Sequence, residues 1–334
     1  MIGFPPFSVS LRSVRGFPAI APVLLVVAAL TVFAACSAAD SELPDGGTPG
    51  PENGAPSGTN NGDRKTNTED PTGAKVESVV ESAQTVSSAS SPDDVRSSRA
   101  EPPVVEELKV EILAEFPHDP QAFTQGLVFD GGVFYESTGL YGRSSVREVD
   151  AASGRVIRQR MLDPSLFGEG LALVGDRLIG LTWHAGVAQV FELSALEIVD
   201  RFDYRGEGWG LAYDGERLIM SDGSDTLTFR DPRTFQVLST RKVLEGRRPV
   251  AKLNELEFAE GQIYANVWST DRIVRIDPQS GQVTARIDAS GLLPPDVQRQ
   301  VDVLNGIAYD PVSKTFWITG KFWPKMFQVR FVPA

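Results

Sequence analysis

The stretch Trp209-Gly210-Leu211-Ala212-Tyr213-Asp214 returns later in the chain as Asn305-Gly306-Ile307-Ala308-Tyr309-Asp310. Three looser copies accompany it: Gln125-Gly126-Leu127-Val128-Phe129-Asp130, Glu169-Gly170-Leu171-Ala172-Leu173 and Asn254-Glu255-Leu256-Glu257-Phe258. Their third positions, Leu127, Leu171, Leu211, Leu256 and Ile307, are spaced by 44, 40, 45 and 51 residues. Self-similarity at a near-constant period marks a repeat architecture, in which each copy is one supersecondary unit. After each copy come a turn and a second short apolar run, such as Arg217-Leu218-Ile219-Met220 or Gln262-Ile263-Tyr264-Ala265. Third runs end in turns of one kind: Val149-Asp150-Ala151-Ala152-Ser153-Gly154, Arg230-Asp231-Pro232 and Ile276-Asp277-Pro278-Gln279-Ser280-Gly281. A fourth run follows, such as Gln282-Val283-Thr284-Ala285-Arg286-Ile287.

Short runs broken by Asp-Gly, Ser-Gly and Asp-Pro turns are strands and hairpins. Four strands every forty-odd residues is the period of a propeller blade. Residues 108–334 therefore read as an all-β domain, a five-bladed β-propeller. An open ring would leave strand edges exposed, so Val110-Glu111-Ile112-Leu113 is expected to close it against the last blade near Phe331.

In such a ring the innermost strand of each blade lines the central channel. The residue two before each aligned Leu or Ile then sits at one height on every blade: Gln125, Glu169, Trp209, Asn254 and Asn305. Purely structural positions in a repeat are small or apolar; these are polar or aromatic. Gly126, Gly170, Gly210 and Gly306 follow four of them, where backbones crowd. A second layer is expected from the next strands, with Ser137, Trp183, Ser221-Asp222, Asn266 to Trp268, Thr319 and Gly320-Lys321. Trp317 reads as an aromatic wedge between blades, and Trp323 fits a wedge or the pocket equally.

The rest of the chain is of another kind. Residues 1–35 carry Arg12 and Arg15, then an uncharged apolar run ending in Phe33-Ala34-Ala35. That is the charge pattern of an export signal. Cys36, the single cysteine, follows it as in bacterial lipoproteins, although Phe33 stands where those usually carry Leu. The segment 1–36 is accordingly expected to be a signal peptide with Cys36 as a lipid site, and the protein to be exported and anchored in the bacterial envelope. The alternatives are an ordinary signal peptide cleaved near Ala35, with the protein secreted, or an uncleaved anchor helix. With one cysteine no internal disulfide is available. Residues 37–107 lack Phe, Trp and Tyr and are rich in Ser, Pro, Gly and Asp. Such composition cannot bury enough apolar surface to offset its ordering entropy, so this is expected to be a disordered tether. It holds 14 acids and 5 bases, hence −9 of the net −12. The domain has no basic stripe of the kind that nucleic acid requires, and contact with a membrane is expected only through the lipid.

The chemistry is bounded by what is missing. Two histidines, His118 and His184, and one cysteine make a zinc site hard to assemble. His118 precedes the first repeat, and His184 is expected in an exposed loop. A calcium site from Gln125, Glu169, Asn254 and Asn305 would have one carboxylate among amides. No metal and no cofactor is expected. One inward acid, amides, a lysine and several indoles remain, which suit proton transfer. A propeller that only binds a partner and a calcium-dependent lactonase or esterase are the competing readings.

Phe123-Thr124-Gln125-Gly126-Leu127, Phe167-Gly168-Glu169-Gly170, Leu181-Thr182-Trp183, Glu207-Gly208-Trp209-Gly210-Leu211, Leu253 to Phe258, Ala265 to Trp268, Leu304 to Asp310 and Ile318 to Lys321 together resemble the plant and bacterial glutaminyl-peptide cyclotransferases. The likeness runs through all of residues 108–334. It implies a metal-independent acyltransferase that closes the N-terminal glutamine of peptides or proteins to pyroglutamate with release of ammonia, acting as a monomer. In that family the essential acid lies in the motif that here holds Glu169. The resemblance places Gln125, Trp183, Trp209, Asn254, Trp268 and Lys321 in the pocket, and Asn305 joins them through the ring. Lys321 and Asn254 are the two candidates to stabilise the developing oxyanion.

The anchor is directly testable. Labelled fatty acid should enter the wild-type protein and be absent from Cys36→Ser, read by gel autoradiography. Equal labelling of the two, or of neither, would overturn the lipid assignment.

Overall fold

The computed structural model describes residues 104–334. The export signal, Cys36 and the tether up to residue 103 lie outside the described residues. The first element among the described residues is β1 (Glu106–Pro117), whose first two residues fall within the segment expected to be tether. There follow β2 (Thr124–Asp130), β3 (Val133–Thr138), β4 (Ser145–Asp150) and β5 (Val156–Met161), an antiparallel four-stranded sheet in sequence order. A second sheet of the same order contains β6 (Gly168–Val174), β7 (Arg177–Thr182), β8 (Val187–Glu192) and β9 (Ile198–Asp203). A third contains β10 (Leu211–Tyr213), β11 (Leu218–Met220), β12 (Thr226–Arg230) and β13 (Val237–Lys242). After a small hairpin, β14 (Leu244–Glu245) and β15 (Arg248–Pro249), come β16 (Leu253–Ala259), β17 (Gln262–Val267), β18 (Arg272–Ile276) and β19 (Val283–Asp288). One helical turn, α1 (Pro295–Gln298), precedes β20 (Leu304–Asp310), β21 (Thr315–Gly320) and β22 (Lys325–Pro333). The architecture is all-β.

The last seven long strands and β1 form a single eight-stranded sheet, ordered β16-β17-β18-β19-β1-β22-β21-β20. Here β1 runs antiparallel to β22, with Val110 opposite Phe331 and Ile112 opposite Val329, and parallel to β19, with Glu106 opposite Ala285. The expected pairing near Phe331 is therefore present. The start of the domain completes the sheet begun by its end.

In each four-stranded sheet the last strand is the most exposed, and in the eight-stranded sheet both end strands, β16 and β20, are largely buried. Gln125, Gly126 and Leu127 of β2 are buried, whereas β9 and β13 are almost wholly exposed. The innermost strands β2, β6, β10, β16 and β20 neighbour one another in a closed cycle. Apolar clusters fill the gaps between successive sheets. Leu171, Leu178 and Phe191 pack on Tyr135 and Val146, and Leu211, Leu218 and Met220 pack on Ile179 and Leu181. The cycle closes where Leu127, Phe134 and Val149 meet Ala308, Trp317 and Met326. Trp317 is the expected wedge, its ring 4.9 Å from Phe116 and 5.2 Å from Phe134. The Asp-containing turns are Asx turns: Asp277 Oδ1 accepts the Ser280 N–H and hydroxyl, both at 2.7 Å, and Asp150 serves Ser153 in the same way.

The second layer departs from expectation at three positions. Ser137, Ser221 and Asn266 are each spent on the main chain of a neighbouring inner strand. The Ser137 hydroxyl donates to the Glu169 carbonyl, the Ser221 hydroxyl to the Asn254 carbonyl at 2.7 Å, and Asn266 Oδ1 accepts the Gly306 N–H at 3.0 Å. Innermost strands of different sheets leave main-chain groups unpaired, and a buried unpaired group is costly, so short polar side chains are recruited to meet them. His118, likewise, is a buried structural residue, bonded to the Trp323 carbonyl and to Glu136.

Glu255 pins three inner strands at once. Its side chain leaves β16, and its two oxygens accept the Ile307 N–H at 2.7 Å and the Leu127 N–H at 3.2 Å. Burial, and then neighbouring Glu257, push its carboxyl well above the ordinary range, against the two N–H groups that favour the anion. A group whose folded pKa is raised stabilises the fold fully at low pH and loses that contribution as pH rises towards the folded value. The melting temperature of the wild type should therefore fall progressively relative to that of Glu255→Gln over the pH range above the ordinary glutamate value of about 4.3. Parallel melting curves across that range would refute this role of the carboxyl.

Candidate active site

Glu169 stands near the start of β6 with its carboxylate 5% exposed. The glycines on either side are there for want of space. A Cβ on Gly168 would lie 2.7 Å from the Thr138 carbonyl oxygen, and one on Gly170 would lie 2.4 Å from the Leu211 nitrogen. The acid is thus inserted where neighbouring backbones almost touch. Glu169 Oε1 accepts a hydrogen bond from Gln125 Nε2 at 2.9 Å, from the adjacent sheet. Asn305 Nδ2 donates in turn to Gln125 Oε1 at 3.3 Å and to the Thr124 carbonyl at 3.0 Å. Three members of the expected ring, from three sheets, are therefore joined in one chain of amides ending on the acid.

Burial pushes the Glu169 carboxyl well above the ordinary carboxylate range; the Lys321 ammonium opposes this and the Glu207 carboxylate adds to it. Lys321, buried in the turn between β21 and β22, is drawn below the ordinary ammonium value by burial, against the pull of Glu169 and Asp302. Its Nζ lies 4.6 Å from the centroid of the Phe123 ring, a cation–π arrangement. Asn254 is buried with Oδ1 unpartnered. The same holds for Asn305 Oδ1 and Asn266 Nδ2, and a buried polar atom without a protein partner is costly.

Aromatic side chains form the rim. Trp209 meets Trp268 edge to face with centroids 5.8 Å apart, and Trp268 is 40% exposed. Trp183 meets Phe167 at 5.5 Å, and Phe167 meets Phe123 at 6.0 Å. Glu207 accepts both indole N–H groups, from Trp183 at 2.7 Å and from Trp209 at 2.8 Å. His184 is not a bystander in its loop, since it stacks on Trp183 at 3.8 Å. Trp323 belongs to the core: fully buried, it donates to the Asp302 carbonyl at 2.9 Å. A cleft of about 850 Å3 opens elsewhere among Asp176, Arg177, Phe202, Tyr213 and Arg233 and shares no residue with this cluster.

Phe123, Phe167, Glu207 and Lys252 were not singled out as site residues from the sequence. Yet each stands two residues before a ring member, at one repeat position occupied in the fifth copy by Val303. Lys252 lies with Nζ 5.4 Å from the Trp268 ring centroid. Extending the repeat by two residues would have found the rim. Among the described residues, no three His, Cys, Asp or Glu side chains are grouped for a metal ion.

The family model for glutamine cyclotransferase matches residues 80–331. The chain belongs to the glutamine cyclotransferase family. A glutaminyl-peptide cyclotransferase of Arabidopsis thaliana is 44% identical to it over 231 residues, 68% of this chain and 72% of that protein. The crystal structure of Myxococcus xanthus glutaminyl cyclase matches with a TM-score of 0.65 at 39% identity, over 69% of this chain and all of that one. The glutamine cyclotransferase match thus spans every sheet that contributes to the cluster.

The field at Glu169 can be measured. Difference infrared titration of wild type against Glu169→Gln should place this carboxyl above the ordinary range. Lys321→Met should move it higher still, because the opposing positive charge is gone. A downward shift in that variant would contradict the assigned electrostatics.

Proposed function

We infer that the protein is a glutaminyl-peptide cyclotransferase: it closes an N-terminal glutamine of a peptide or protein to pyroglutamate and releases ammonia. Family membership supports the activity, and the observation that carries the mechanism is a buried acid, bonded to Gln125, beneath a rim of indoles. We read the closed cycle of inner strands as a five-bladed β-propeller with the site at one mouth of its channel.

The α-amine must be neutral to attack the Cδ of its own side-chain amide. As the new C–N bond forms, the amide oxygen gains negative charge, and collapse breaks the bond to the amide nitrogen, which leaves as ammonia. Glu169 takes the proton from the attacking amine and returns it to the leaving nitrogen. A carboxyl pushed up by burial suits both halves of that transfer better than an ordinary one. Lys321 or Asn254 supplies the donor for the oxyanion. Gln125 holds the acid in place, and Asn305, fully buried behind it, acts through Gln125. Trp183, Trp209 and Trp268 exclude water and fold the glutamine side chain towards the amine, since an intramolecular attack gains most from orientation. No metal is assigned a role, and the donor set offers no cluster of acids, histidines or thiolates for one. The protein is proposed to act as a monomer, exported and held to the envelope by lipid on Cys36.

Ammonia release from a Gln-initiated peptide tests this. Glu169→Gln should lower kcat/KM by about 10²–10⁴-fold with melting unchanged, and a chelator should leave the wild-type rate as it was. Near-normal turnover in Glu169→Gln would remove the acid from its role. Chelation-sensitive activity restored by calcium or zinc would overturn the metal-free reading.

A further inference from the structure

The loop Tyr204-Arg205-Gly206-Glu207-Gly208-Trp209 is shaped by its backbone, not by the Glu207 carboxylate. Tyr204 N–H donates to the Gly186 carbonyl at 2.7 Å, Gly208 N–H to the Trp183 carbonyl at 3.1 Å, and Trp209 N–H to the Ser221 carbonyl at 3.0 Å. Gly206 takes a φ of 87°, and a Cβ on Gly208 would meet the Tyr204 hydroxyl at 2.3 Å. These contacts place Glu207 at the junction of two sheets, between an indole following β7 and an indole preceding β10.

There one carboxylate oxygen, Oε2, accepts from both indoles, while Oε1 lies 3.5 Å from His184 Nδ1. An indole has a single N–H and no acceptor. Anchoring that N–H prevents the ring from turning over and sets which edge faces the pocket; for Trp209 it sets the edge-on contact with Trp268. The Glu207 side chain is 40% exposed and would be hydrated without loss, so an exposed tie of this kind adds little to global stability. Its effect lies in the geometry of the rim. The bonds from Trp209 and Trp183 also hold the Glu207 carboxyl below its ordinary value, so it is ionised when it accepts them.

We propose that Glu207 is a positioning residue for cyclisation, whose single carboxylate oxygen locks Trp183 and Trp209 of adjacent sheets into one rigid wall of the glutamine pocket. This rests on the cyclotransferase reading above. It separates two duties among the acids of the site: Glu169 moves the proton, and Glu207, outside the reacting atoms, fixes the surface against which the substrate folds.

Steady-state ammonia release from a Gln-initiated peptide, intrinsic tryptophan fluorescence and thermal melting test the proposal together. Glu207→Ala should raise KM roughly tenfold or more, alter indole emission and leave melting close to wild type. Glu207→Gln keeps a side-chain oxygen as acceptor and should recover most of the loss. Trp183→Phe, which removes one N–H donor, should cost much less in the Glu207→Ala background than in the wild type, because coupled residues do not add. A KM in Glu207→Ala within about twofold of wild type, or full additivity with Trp183→Phe, overturns the proposal. If Glu207→Ala melts early, the same cycle built with Glu207→Met, which keeps the stem and removes both oxygens, and Trp209→Phe decides. If the wild type itself releases no ammonia, the cyclotransferase reading fails. Unchanged indole emission in Glu207→Ala would then overturn the tie as well.

Discussion

At Gly126, Gly170 and Gly210 a Cβ would fall within 2.4 Å of main-chain atoms of the neighbouring inner strand. The strands β2, β6, β10 and β16 therefore meet backbone to backbone, closer than any side chain permits. That approach sets the spacing of the inner strands, and through it the burial of the side chains they carry. Residues beside those glycines have no sideways freedom, so Gln125 and Glu169 are directed at one another. Replacing any of the three glycines would force the strands apart and uncouple that pair.

Close approach creates a second demand. Inner strands of different sheets cannot form a regular ladder with each other, so their main-chain groups need other partners. Ser137, Ser221, Asn266 and Glu255 provide them, each reaching to the main chain of a neighbouring inner strand. The polar character of this region therefore has two origins. Some of its groups hold the fold together, whereas Glu169, Lys321 and the unpartnered Asn254 are left with charge or hydrogen-bonding capacity that the fold does not use. Burial acts on Glu169 and Lys321 in opposite chemical directions, raising one pKa and lowering the other, so the two groups approach each other in proton affinity.

Much of this was legible in the residues. The spacing of Leu127, Leu171, Leu211, Leu256 and Ile307 defined the repeat, and the position two before them named the ring in which Gln125, Glu169 and Asn305 prove to be bonded. The second layer was less well read. Ser137 and Trp183 come from comparable places after the aligned Leu, yet one is spent on a neighbouring backbone and the other stands at the rim. Glu207 was visible only as part of a motif, because nothing local distinguishes a carboxylate that will accept from two indoles from one that will face water.

The sequence by itself determined the strand class, the repeat and the set of residues placed at equal height around an axis. Those follow from periodicity, which is a property of the chain alone. Only the tertiary structure decided what each of those side chains does. Partners come from other sheets, and hydrogen bonding, desolvation and charge at a given atom depend on groups 40 or more residues away, as with Gln125 and Glu169. Register along one strand is a local matter, whereas the electrostatics of a buried acid is the sum over everything packed around it.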